Sequence, residues 1–94
     1  MKIFLTPKWV LPFGHGLTLY KYIFVRKDSP SVSYIIAHEE EHVRQWTSIG
    51  FFKFPMSYLF ELCKNGYQNN KYEIQARSVG WKNHLKYSQY DLDT

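Results

Sequence analysis

Residues 35–46 read IIAHEEEHVRQW. On a wheel drawn at about 3.6 residues per turn, Ile35, Ile36, Val43 and Trp46 fall on one broad side. His38, His42 and Gln45 form an adjoining stripe, and Glu40 and Arg44 lie on the far side as an i,i+4 pair. The pattern predicts an amphipathic helix over 31–49. Ser29 or Ser31 can cap it, Pro30 suits a first helical position, and Gly50 stops it. The histidines border the apolar face, as the wall of a cleft requires.

On the N-terminal side of this helix the chain is β-like. KIFLT (2–6) and GLTLYKYIFVRK (16–27) are rich in branched and aromatic residues, with Pro7, Pro12, Gly14 and Gly16 as punctuation. Leu17, Leu19, Lys21, Ile23 and Val25 alternate with Thr18, Tyr20, Tyr22, Phe24 and Arg26, as along one long strand. Two strands joined around PFGHG predict a small antiparallel sheet, and RKDSPS (26–31) a turn. On the C-terminal side, FPMSYLFELCK (54–64) reads as a second helix and NGYQNN (65–70) as a loop. A third helix runs from Lys71 to about Gln89, weakened at Gly80 by about 1 kcal/mol relative to alanine. DLDT (91–94) is a fraying tail. The expected fold class is α+β: one domain over 1–94, a small antiparallel sheet followed by about three helices.

Composition sets the scale of the core. Ninety-four residues with 45% hydrophobic and 19% aromatic side chains support one small core, to which a bound metal ion would add stability. The single cysteine, Cys63, excludes an internal disulfide, fits a reducing, cytoplasmic setting, and reads as a small buried hydrophobe. After Lys2, IFLTPKWVLPF is broken by Pro7, Lys8 and Pro12, which argues against a signal peptide. GFFKFPMSYLFELC (50–63) is interrupted by Lys53, Pro55 and Glu61 and falls short of the roughly 20 residues of a transmembrane helix. It reads as core. A net charge of +4 permits polyanion binding without arguing for it.

The chemistry lies in the spacing H-E-x-x-H. Side chains one turn apart share a helix face, so the imidazoles of His38 and His42 can converge on one zinc ion at about 2.0–2.1 Å. Glu39 points about 100° away. It is poorly placed as a ligand but can reach a water beside the metal and take its proton as a carbonyl is attacked. A catalytic zinc needs a third protein ligand, and His15, His84, Glu61 and Glu73 are the candidates. Glu73 opens the third helix in NNKYEIQAR (69–77), where Ala76 and Gly80 keep the same face small enough to approach the first helix. His84 lies roughly 16 Å further along that helix axis at 1.5 Å per residue, so it is an alternative to Glu73 and not a partner. Glu61 sits within the apolar YLFELC, and His15 in a glycine-flanked loop. Glu73 is the favoured third donor.

AHEEEHVRQW followed by NGYQNNKYEIQAR resembles the small gluzincin-type zinc metallopeptidases, minimal zincins of bacterial and phage type. Their pattern is an HExxHxxQ helix followed by a Glu-x-x-Ala helix, and with TLYKYIFVRK before it the resemblance spans roughly 16–80. It implies a zincin-like core, zinc held by His38, His42 and Glu73, Glu39 as general base, and Gln45 as a hydrogen-bonding partner that orients a ligand imidazole. It also implies that the strand 20–27 is an edge along which a peptide or protein substrate pairs. Glu40 and Glu41 stand where such motifs mostly carry uncharged residues, and Asn70 where proline is expected. The oxyanion-stabilising Tyr or His is not fixed by spacing; His15, His84, Tyr67 and Tyr72 are the candidates.

Two other function classes compete. Lys71, Arg77, Lys82 and Lys86 could form a basic stripe of a nucleic-acid-binding module, but the tyrosines that would stack on bases fall in apolar, core-like patterns. No nucleic-acid partner is therefore expected. A non-catalytic interaction protein with structural zinc would need a fourth ligand; none stands at an obvious spacing, but a partner could donate one.

Overall fold

The computed structural model describes residues 2–10, 14–29 and 31–87. Strands β1 (Lys2–Thr6), β2 (Gly16–Leu19) and β3 (Tyr22–Arg26) precede helices α1 (Val32–Ile49), α2 (Lys53–Asn65) and α3 (Lys71–Asn83) and a 3₁₀ turn (His84–Tyr87). The α+β class is as expected, with two corrections to the sheet. It is mixed: the order is β1-β3-β2, with β1 parallel to β3 and β2 antiparallel to it. The run 16–27 is not one strand but a hairpin, reversed at Tyr20 and Lys21.

Tyr20 takes a φ of 57°, a conformation that an L side chain adopts only when its surroundings hold it. Its ring packs edge-on against Phe51 at 5.1 Å and Trp46 at 6.4 Å, so aromatic contacts fix a turn that no glycine or asparagine announces. The reversal also changes which residues share a face. Thr18 pairs with Ile23, while Leu17 and Leu19 pair with Phe24 and Tyr22. Ile23 and Val25 therefore enter the core and the two leucines stay half-exposed on the outer face, where Phe24 stacks on Phe4.

Ile23 and Val25 meet Val32 and Ile36 of α1 in the core cluster. The helix begins one residue later than expected, after Ser31, whose side chain makes no capping bond; Pro30 lies outside the described residues. It stops at Gly50 as expected, at a φ of 132° that favours glycine. One side of α1 covers the sheet and another meets α3, so Glu39, Glu41 and Gln45 are buried along with the histidines. The expected Glu40–Arg44 pair is absent. Arg44 reaches back to Glu41, and Glu40 is taken by Lys86 and the hydroxyl of Tyr87 across the chain.

α3 returns antiparallel to α1: Gln45 reaches Tyr72 and Gln75, while Gly80 lies against Tyr34 and His38. It ends at Asn83, short of the expected Gln89, which is outside the described residues. Asn70 caps it, accepting from the Tyr72 N–H at 2.9 Å, and its own amide donates to the Tyr58 carbonyl. A proline at this position could do neither. α2 departs most from expectation. Read as core, it buries only Phe54, and Cys63 is exposed.

Candidate metal centre

Three elements build the site. α1 supplies His38 and His42 one turn apart, the start of α3 supplies Glu73, and α2 supplies Tyr58 behind it. His38 Nε2 lies 2.9 Å from Glu73 Oε1 and His42 Nε2 lies 3.2 Å from the same oxygen. All three residues are buried and their ligating atoms lie within 4.8 Å of one another, so the group could hold a metal ion. Of the four residues considered as third donor, the structure brings Glu73 to the histidines. His84 hydrogen-bonds the Trp81 carbonyl, Glu61 receives the Asn65 amide, and His15 contacts the Ser29 hydroxyl.

The donor chemistry fits a cation. Gln45 Oε1 accepts from His42 Nδ1 at 2.9 Å, while the Gln45 amide donates to the Tyr72 carbonyl and to Gln75 Oε1, both at 3.1 Å. With its proton on Nδ1, His42 presents the Nε2 lone pair to the carboxylate, an arrangement that a shared positive charge satisfies. His38 Nδ1 is, among the described residues, the one buried side-chain nitrogen or oxygen without a hydrogen-bond partner. Without a metal, burial alone would raise the Glu73 pKa, but hydrogen bonds from His38, His42 and Tyr58 and the charge of His42 hold it far below the ordinary glutamate range. Burial alone would lower the His42 pKa; its bond to Glu73 and the charges of Glu39 and Glu73 raise it instead.

Glu39 is buried beside this group and oriented by β2. The Thr18 hydroxyl reaches Glu39 Oε1 at 2.7 Å and the Glu39 carbonyl at 3.1 Å. Burial raises its pKa above that of an ordinary glutamate, against the opposing pull of His42, His38 and the Thr18 bond. Gly16 lets β2 come this close, since a Cβ there would stand 2.7 Å from Ile35 Cγ2 and 3.1 Å from Glu39 Cγ.

A cleft of about 480 Å³ opens over Glu39, His42 and Glu73, walled by Trp46, Phe54 and Leu62. A second, of about 530 Å³, shares Gly16, Glu39 and Tyr67 with the first and adds His15 and Arg77. Tyr67 thus lines both, and burial together with the nearby charge of Glu73 pushes its pKa up to about 12. Tyr72 lines neither cleft. The expected peptide-pairing edge is corrected: β3, which holds most of 20–27, is the central strand, and the edge beside the cleft is β2. Thr18 and Tyr58 were not anticipated from the sequence. Their partners are 21 and 15 residues away on other elements, and no local pattern marks them. No family model, curated protein or solved structure matches the chain.

Proposed function

We propose that this chain is a zinc-dependent hydrolase of peptide or amide bonds, with a gluzincin-like arrangement of its site. The observation that carries this reading is the convergence of two imidazole Nε2 atoms on one Glu73 oxygen, with a second buried carboxylate, Glu39, in the same cleft. His38, His42 and Glu73 would hold the ion. Bound zinc supplies a Lewis acid that acidifies a water and polarises a carbonyl.

The chain's own residues do the rest. Thr18 fixes Glu39 Oε1, leaving Oε2 to take a proton and pass it to the leaving amine. The raised proton affinity of Glu39 suits that role. Of the four candidate oxyanion donors, Tyr67 is the one we assign, because it lines the cleft with Glu39 and Glu73 and keeps its phenolic proton at neutral pH. The substrate would lie extended along β2. The Arg26 N–H donates to the His15 carbonyl, and by antiparallel alternation Leu17 and Leu19 also face β3, so the backbone N–H and C=O of Gly16 and Thr18 would fall on the unpaired side.

Elemental analysis of the purified chain tests the metal, and cleavage of a peptide library tests the chemistry. Stoichiometric zinc is expected in the wild type and in Glu39→Gln, with at least a tenfold loss of affinity in Glu73→Ala. Cleavage should disappear in Glu39→Gln while zinc is retained. Full zinc in Glu73→Ala would remove the proposed site, and undiminished hydrolysis by Glu39→Gln would remove the assigned base.

A further inference from the structure

α2 has two unlike sides. Phe54 is buried, Tyr58 bonds Glu73, and Pro55 and Leu62 line the cleft. On the opposite side Phe52, Met56, Phe60 and Cys63 follow one another at helical spacing, a single stripe along the helix, with Leu59 at its border, where it also lines the cleft. The stripe is open: Phe52 is 78% exposed, Met56 68%, Leu59 52% and Phe60 66%. The exposed Phe51 extends it at the N-terminal end. A contiguous apolar face of this kind marks a surface that docks against something.

The charges along the stripe say what it docks against. Lys53 stands one turn before Met56 and Lys64 one turn after Phe60, so both exposed ammonium groups lie along the same edge. The single acid of α2, Glu61, is turned away from the stripe, accepting from the Asn65 amide and the Lys71 N–H. The chain as a whole carries +4. Bulky apolar side chains edged by lysines, with no carboxylate among them, complement an anionic lipid surface. The rings enter the acyl boundary while the lysines reach phosphate. A second copy is a poorer occupant, because an antiparallel pairing of two such stripes would set the lysine edges side by side. No helix among the described residues is long and apolar enough to cross a membrane, so α2 would lie in the plane of the interface.

We propose that α2 docks the chain on an anionic lipid surface through Phe52, Met56, Leu59 and Phe60, with Lys53 and Lys64 at the headgroups. The docking face and the cleft then share one helix, and substrate would be met at the membrane surface. This inference does not depend on the metal reading.

Co-sedimentation of the full chain with vesicles of phosphatidylcholine, alone or mixed with phosphatidylglycerol, tests it. Adding phosphatidylglycerol should raise the affinity roughly thirtyfold, from about 1 kcal/mol for each of two lysines near the surface, and high salt should reverse the gain. The double variant Phe52→Ser/Phe60→Ser should lose binding to both vesicles. Lys53→Glu/Lys64→Glu should bind the mixed vesicles no better than pure phosphatidylcholine. All four side chains are exposed, so an unchanged melting temperature should accompany each loss. Absence of vesicle binding in the wild type, or undiminished binding by the serine variant, overturns the proposal. So does a dimer that the serine variant dissolves in the absence of any vesicle binding, which would assign the stripe to a second copy.

Discussion

Tyr58 donates its hydroxyl to Glu73 Oε2 while Oε1 faces both histidines, so one side chain of α2 decides how the third donor is presented. The Tyr58 ring packs against Phe54, Tyr72 and His42, contacts that survive removal of the hydroxyl. Tyr58→Phe should therefore keep the fold and lower zinc affinity by about tenfold, within the range typical for residues that support a metal ligand. A competition titration against a chelator measures this, and an unchanged dissociation constant would show that Glu73 needs no support from α2. The three candidate donors differ from Tyr58 in how the sequence marks them. His38 and His42 were legible because helix geometry alone brings side chains four residues apart onto one face. Glu73 was legible because a short loop and a small-residue face return α3 to them. Tyr58 and Thr18 depend on how separate elements dock, which leaves no periodic trace in the sequence.

At the scale of elements, the approach of α3 to α1 holds the site together. Gly80 sets that approach: a Cβ there would stand 2.9 Å from Tyr34 Cε2 and 3.4 Å from His38 Cα. Gly80→Val should push the helices apart and destabilise the fold by about 1–3 kcal/mol, read as a lowered denaturation midpoint. Because His38 is one of the groups displaced, zinc affinity should fall as well. Full stability with full affinity would mean that the helices have slack. The same close docking explains where the sequence pattern misled. Burial of α1 on two sides draws Glu39, Glu41 and Gln45 inward, which a one-sided amphipathic reading cannot show. The strand pattern failed for a different reason. The alternating letters of 16–27 run on across a two-residue turn that swaps the faces, and that turn is held by the Tyr20 contacts with Phe51 and Trp46, so periodicity alone does not report the reversal.

For the whole molecule, the balance between apolar core and polar interior determines what the metal would do. The fully buried apolar cluster is small, centred on Ile23, Val25, Val32 and Ile36, whereas His38, Glu39, Glu41, His42, Gln45, Asn70 and Glu73 are all buried polar or charged groups. α3 is tied to α1 largely through those groups: His38 and His42 to Glu73, and Gln45 to Tyr72 and Gln75. An ion held by residues of both helices would act as a cross-link where a chain of this size has little apolar burial to spare. At free zinc about a hundredfold above the dissociation constant, binding to the native state alone adds about 2.7 kcal/mol, and a domain of this size gains about 4–8 °C per kcal/mol. The melting temperature should thus rise by about 10 °C or more on saturation with zinc and fall back on chelation, with no such response in His42→Ala. Identical melting curves with zinc and with chelator would mean that the polar interior is self-sufficient, and that the three converging donors serve the fold without holding a metal.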